Sequence, residues 1–444
     1  MKLNTRRTVL VGLAFMSICA FWQLYDNVVP LILKYTFGME DGPSGIIMAI
    51  DNVLALFMLP FFGALSDRTR TQLGRRTPYI LLGTAAAVLL MNLLPVANTL
   101  RLFWLFLGAL ALLLLAMGTY RSPAVALMPD VTPKPLRSKG NAIINLMGTL
   151  GGIFTLAVTI FMPKTESGGT NYMLLFLAVS VLMVLAVVLL LRSVNENQLS
   201  AETAAINDRY DAEQAAKLPA AEQEAEFRAQ ASAKGGFRSL SPEVRRSLLL
   251  ILASVFFWFM GYNAVTTVFT KYVFKQWSYS LDVASAFLMI ATGSALLWYV
   301  PVGLLSARFG RKRMIQLGVL LLAACFGVLG LFQTFHSVLY VLFALVGIAW
   351  ATINVNSYPM VVEISKSADV GQFTGYYYTF SMAAQIVTPI LSGYLMQYLG
   401  YQILAPYAAA MVAVSFVTIT LTRHGDSKPE APGASLEAFD VGDE

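Results

Sequence analysis

Apolar runs of twenty or more residues recur along almost the whole chain, separated by short polar loops. A helix rises about 1.5 Å per residue, so roughly 20 residues cross about 30 Å of hydrocarbon. On that measure the runs predict spans near 9–33, 44–65, 77–97, 102–128, 140–162 and 172–192, then 247–270, 281–304, 314–334, 337–361, 372–397 and 402–422. The polar segment between the two sets is rich in Ala, Glu, Gln and Lys around Ala201 to Lys234 and has no long apolar stripe, which predicts a linker with some helix. The end of the chain, with Gly, Pro, Ser and acidic residues, reads as a disordered tail. The expected organisation is a first six-helix bundle at 1–192, a linker at 193–246, a second six-helix bundle at 247–422 and a tail at 423–444. The fold class is an all-α membrane protein of twelve transmembrane helices in two pseudo-symmetric bundles.

Composition excludes the soluble alternative. With 57% hydrophobic and 13% charged residues and a mean hydropathy of +0.65, the chain has more apolar surface than a soluble domain can bury. The net charge of +6 does not point to nucleic acid, because the cations fall in short clusters between apolar runs. With twelve spans, Lys2/Arg6/Arg7, Arg68/Arg70/Arg75/Arg76, Lys134/Arg137/Lys139, the linker, Arg308/Arg311/Lys312/Arg313 and Arg423 all fall on one face. The opposite loops hold only Lys34, Arg101, Lys164, Lys271 and Lys275. The positive-inside rule therefore puts both termini and the linker in the cytosol. Cys19 and Cys325 lie in apolar runs and read as small hydrophobes. The first run lacks a small-residue cleavage site and is too long for a signal-peptide core, so it stays as a span. Short loops and small termini fit a prokaryotic inner membrane. The oligomeric state stays open, a monomer being compatible with the sequence.

Two loop patterns repeat between the halves. Gly63-Ala-Leu-Ser-Asp67-Arg68 with Gly74-Arg75-Arg76 follows the second span, and Gly303-Leu-Leu-Ser-Ala-Arg308 with Gly310-Arg311-Lys312-Arg313 follows the eighth. Pro123, Asp130 and Arg137 at the fourth span correspond to Pro359, Glu363 and Lys366 at the tenth. Duplicated halves let two bundles rock about a site at mid-membrane. The Gly63 to Arg76 loop resembles the hallmark of the major facilitator superfamily. Its longer interval between Arg68 and Gly74 is similar to that of the glycoside-pentoside-hexuronide:cation symporters and of the sucrose and proton-coupled sugar transporters. Pro123, Ala126, Leu127 and Asp130 match a sucrose-transporter pattern, with Val125 where that pattern has arginine and Arg121 one turn earlier. The resemblance implies a protonation role for Asp130, but its predicted depth suits a gate equally well, and the gate is the favoured expectation.

Ionisable groups inside spans are costly and mark cavities or partners. Gln23, Asp26 and Asn27 in the first span and Asp51 and Asn52 in the second lie at similar depth, so the two carboxylates are expected to share a site that takes H⁺ or, with an amide oxygen, Na⁺. Bracing the cavity mouth is the competing role. Arg121, beside Tyr120, is placed either to donate to a solute or to pair with an acid on a neighbouring helix. In the second half Tyr262, Asn263, Thr266, Asn354, Asn356, Tyr377 and Gln385 together supply hydroxyls and amides suited to a polyol, although any one of them taken singly is expected to make a helix–helix bond rather than to touch ligand. Gly63, Asp67, Arg68, Gly74, Arg75, Asp130, Arg137, Arg308, Gly310, Arg311 and Glu363 are expected to hold the inward face shut through charge pairs.

No nucleophile elbow, phosphate-binding loop or His/Cys metal spacing is present, and His336 and His424 sit at a loop and in the tail, so no enzyme, cofactor or metal is expected. The expected function is cation-coupled symport of a disaccharide or glycoside, H⁺ before Na⁺, with lipid and sugar as the partners. An exporter of drugs or other small molecules is the alternative.

Overall fold

The computed structural model describes residues 3–162, 171–217, 240–362, 364 and 370–424. Lys164, Glu363, Lys366, the middle of the linker and the tail beyond His424 lie outside the described residues. The helices are α1 (Thr5–Leu31, continued by a π turn Ile32–Thr36), α2 (Asp41–Arg68), α3 (Thr77–Thr99), α4 (Phe103–Val131), α5 (Arg137–Phe161) and α6 (Tyr172–Ser193). They continue as α7 (Glu196–Lys217), α8 (Pro242–Gln276), α9 (Leu281–Phe309), α10 (Arg311–Leu329), α11 (Val338–Val362), α12 (Val370–Leu399) and α13 (Leu404–Leu421). Eleven of them are long and apolar enough to cross a membrane. The twelfth, α12, has 30 residues and about 45 Å of length, but Tyr376 to Tyr378, Gln385 and Gln397 lower its hydropathy. The chain is a multi-pass integral membrane protein. Most helices run past the apolar runs at one or both ends because a helix continues through polar turns after the hydropathy has fallen, but α10 ends at Leu329, short of the expected 334, and α13 lies within the expected 402–422.

The two sets of six pack alike. In the first, α1 lies on α5 and α6, α3 on α4 and α6, and α2 on α4; in the second, α8 lies on α12 and α13, α10 on α11 and α13, and α9 on α11. Each set has its own apolar core. Across the seam α2 packs on α12 and α5 on α9, the same pairing seen from either half. Leu156 of α5 joins the second core and Leu281 of α9 joins the first.

The halves meet tightly at the face away from the termini. Of the eight buried residues of α2, six lie between Asp41 and Ala49, whereas Phe57, Phe61 and Leu65 further along are exposed. A Cβ on Gly45 would lie 2.0 Å from the Pro389 carbonyl oxygen, and one on Gly393 would lie 2.5 Å from that of Asp41, so only glycine lets α2 and α12 touch backbone to backbone. Asp41, 2% exposed in the first turn of α2, is paired to Lys34 of the π turn and to Lys271 of α8 at 3.1 Å, and accepts from the Tyr401 hydroxyl at 2.8 Å. Gln397 accepts from the Gly42 N–H at 2.9 Å and donates to Glu40 at 2.6 Å. This far-face cluster joins both halves, and α2 leaves the contact on its way to the termini face.

Breaking a buried ion pair by removing one partner costs about 3–5 kcal/mol. Asp41→Asn is expected to weaken the far-face closure, and Cys19 provides the reporter, being half-buried on the cavity wall. In a Cys325→Ala background, an impermeant maleimide added from the far face should label Cys19 at least about tenfold faster in the Asp41→Asn protein. Equal labelling rates would remove the cluster from the closure.

Candidate functional site

A cavity of about 350 Å³ lies between the halves. On one side, Phe15, Cys19, Trp22, Gln23 and Asp26 form a helical stripe along α1. Asp51 and Asn52 of α2, Arg121 of α4, and Asn145 and Thr149 of α5 complete that wall. Facing it are Tyr262, Asn263, Thr266 and Thr267 of α8, Thr292 and Tyr299 of α9, Trp350 and Asn354 of α11, and Gln385 of α12. Asp26 lies ten residues before the end of the α1 π turn and Asp51 ten residues into the oppositely running α2, so both sit about 15 Å below the far-face helix ends.

The charged groups are on one wall and within electrostatic reach of one another, Asp26 with Asp51 and Asp51 with Arg121. Asn52 donates to Asp51 at 2.9 Å. The Arg121 guanidinium lies over the Trp22 ring, 5.4 Å from its centroid, a contact that holds the cation against the wall. On the opposite wall Tyr262 and Trp350 stack at 3.6 Å between centroids, with planes 5° apart. Trp22 Nε1 and Asn263 Nδ2 find no hydrogen-bond partner among the described residues, although both side chains line the cavity. Among the described residues no group of three or more His, Cys, Asp or Glu side chains is placed to hold a metal ion.

Four of the candidate residues lie outside the lining. Asn27 follows Asp26 by one position, a rotation of about 100° that takes it off the α1 stripe, and it is 1% exposed. Tyr120 is likewise one position from Arg121 and packs on α3, where a Cβ on Gly83 would lie 2.6 Å from its Cβ. Asn356 cannot share a face with Asn354 two residues earlier, and it donates to the Thr352 carbonyl at 2.9 Å within its own helix. Tyr377 is buried, its hydroxyl 3.0 Å from that of Ser357.

The residues expected to shut the termini face through charge pairs do something else in the pairs seen here. Arg76, 5% exposed, bonds Asp67, the Ser66 hydroxyl, the Gly63 carbonyl and Asp130, and Arg75 also bonds Asp130. These contacts tie the ends of α2, α3 and α4 to one another within the first half. They brace one bundle and do not bridge two. Arg68 and Arg308 are exposed, the latter over the Phe309 ring. Arg137 reaches the Thr132 carbonyl only at 3.4 Å. Gly310, at φ 89°, makes the break between α9 and α10, with Arg311 opening α10.

Glu196 is the residue the pattern of charges did not reveal. It is 1% exposed at the start of α7 and accepts from the N–H groups of Arg75, Arg76 and Thr77 and from the Thr77 hydroxyl, capping α3 from 120 residues away. Gly74, at φ 118°, is the counterpart, since a Cβ there would lie 2.2 Å from the Glu196 carboxylate. Asn197 donates to the Thr71 and Gln72 carbonyls. Hydrogen bonds to a charged group contribute about 1.5–3 kcal/mol each. Glu196→Ala is expected to cost about 3 kcal/mol and to lower the melting temperature of the purified protein by several degrees; an unchanged melting temperature would show that water replaces the carboxylate without loss.

The comparisons with known proteins agree with this architecture. The sequence profile of the Major Facilitator Superfamily matches residues 11–300 and 278–439. The chain is 30% identical over 159 residues to an uncharacterized protein in the sodM 3' region of Geobacillus stearothermophilus, a match covering 35% of this chain and 72% of that protein. It is 25% identical over 195 residues to the uncharacterized protein YqgE of Bacillus subtilis, covering 42% and 44%. Among solved structures it resembles a POT family transporter in complex with 5-aminolevulinic acid, at a TM-score of 0.67 and 13% identity over 94% of both chains. It resembles the nucleoside transporter NupG at 0.67 and 14%, covering 94% of this chain and 99% of that one, and a D-xylose-proton symporter at 0.65 and 16%, covering 97% and 98%. Two matched halves, a shared cavity and a profile match along nearly the whole length lead to one conclusion: the chain belongs to the major facilitator superfamily and is a membrane transporter, not an enzyme.

Proposed function

We propose that this protein is a cation-coupled sugar symporter, driven by H⁺, that works by alternating access with both termini in the cytosol. The observation that carries the reading is the division of the cavity. Asp26, Asp51 and Arg121 stand on one wall, and hydroxyl, amide and aromatic groups of Tyr262, Asn263, Thr266, Asn354 and Gln385 stand on the other. Two carboxylates in mutual reach disfavour double ionisation, so one of them is suited to carry a proton. The facing wall offers what a pyranose needs, namely donors and acceptors for ring hydroxyls and aromatic faces for its C–H surface. A cavity for hydrophobic cations would need fewer amides, which puts the exporter reading second. The D-xylose-proton symporter among the structural neighbours is in keeping with this reading at the level of fold.

In the proposed cycle the far-face cluster at Asp41 is intact while the cavity serves the cytosol, and it opens when the halves rock the other way. The braced loop at Arg76 and Glu196 keeps the first half rigid through that motion.

Proteoliposomes containing the purified protein and supplied with labelled mono- and disaccharides test the reading under a proton gradient, a sodium gradient and neither. One sugar should accumulate only under the proton gradient. Asp26→Asn and Asp51→Asn should each abolish accumulation while leaving sugar exchange at equal concentrations, because exchange requires binding and rocking but no net proton movement. Accumulation that needs sodium would replace the ion. No sugar uptake under any gradient would sink the sugar assignment and bring export forward.

A further inference from the structure

Asp41 pairs with lysines from both halves. Lys34 reaches one carboxylate oxygen, Oδ2, from the π turn that ends α1. Lys271 reaches the other, Oδ1, at 3.1 Å from α8. The Tyr401 hydroxyl, in the short turn before α13, donates to the same carboxylate at 2.8 Å. Burial separates the two cations, since the Lys271 side chain is 3% exposed and that of Lys34 is 23% exposed.

The pairing with Lys34 does not depend on the seam. Lys34 and Asp41 stand seven residues apart on the hairpin that joins α1 to α2. The backbone closes that hairpin by itself: the Gly38 N–H donates to the Lys34 carbonyl at 3.1 Å, the Met39 N–H donates to the Leu33 carbonyl at 2.9 Å, and Gly38 takes φ 67° to turn the chain. Lys34 and Asp41 therefore move as one piece when the halves rock. Lys271 and Tyr401 belong to the second half and are carried away from Asp41 when the far face opens. The Lys34 ammonium also lies 5.3 Å from the Tyr401 ring centroid, an attraction across the seam that is weak beside an ion pair.

A buried carboxylate left without a cation is costly. Lys34 removes that cost from the open state. In the closed state it contributes less, because Lys271 and Tyr401 already serve the carboxylate and because the ammonium groups of Lys34 and Lys271 repel each other. We propose that the two lysines act in opposite directions on the far-face closure: Lys271 holds it shut, and Lys34 is the resident counter-ion that keeps Asp41 paired once the halves part and so lets the closure open. The assignment rests on the alternating-access reading above and is independent of which solute is carried.

Cys19 in the Cys325→Ala background is again the reporter, labelled by an impermeant maleimide from the far face of sealed vesicles containing the full chain. Lys271→Met, or Lys271→Gln where the methionine variant fails to assemble, should label at least about tenfold faster than the parent. Lys34→Met should label at least about threefold slower, while its labelling from the termini face stays within about twofold, which certifies folding. A Lys34→Met protein that labels from the far face as fast as the parent or faster would overturn the proposal, because a lysine that only helps to hold the halves together loosens them when it is removed. A Lys271 variant that assembles and labels no faster than the parent would overturn it as well. Faster labelling in both Asp41→Asn and Lys34→Met would leave the closure standing and remove the division between the lysines, whereas an unchanged rate in Asp41→Asn would remove the closure itself and the division with it.

Discussion

Hydrocarbon gives no shelter to a charge, so each ionisable side chain drawn into this bundle is placed where another part of the chain, or a water-filled space, receives it. Three positions among the described residues show how this is done. Asp41 is received by Lys34, Lys271 and Tyr401 from both halves. Asp26, Asp51 and Arg121 share the central cavity. Asp130 and Asp67 are received by Arg75 and Arg76, with Glu196 closing the same loop from the other side. The far-face cluster crosses the seam between the halves, whereas the Arg76 cluster lies within the first half.

Backbone contact reinforces the same division. Gly45 and Gly393 let α2 and α12 meet without side chains between them, so the far-face contact is close and short. Beyond Ala49, the exposed Phe57, Phe61 and Leu65 mark where α2 has left its neighbour. A small rotation at such a contact produces a large displacement at the other end of a helix some 40 Å long.

Much of this was legible in the sequence because membrane spans are written in one dimension. The runs of apolar residues, the repeated loop at Gly63 and Gly303 and the intramembrane Asp26 and Asp51 all follow from local pattern, and depth alone brought the two carboxylates to one level. What pattern did not supply was azimuth. Asn27, Tyr120 and Asn356 each sit one or two positions from a residue that lines the cavity, and a rotation of 100° to 200° is enough to turn them away. Long-range pairing was equally hidden. Asp41 lies before the second apolar run and drew no reading, Lys271 counted only as a scattered loop cation and Glu196 fell in the linker, because partners of Asp41 lie up to 360 positions away and those of Glu196 about 120. The charges of the Arg75–Arg76 loop were read as a seam, since sequence gives the presence of opposite charges but not which bundle each belongs to.

The start of α7 carries one more consequence. Through Glu196, Asn197, the pair of Glu202 with Arg7 and the bond from the Lys134 N–H to Asn207, the first part of the connecting segment travels with the first bundle. The stretch of sequence left to connect the bundles is therefore shorter than the span from α6 to α8 implies.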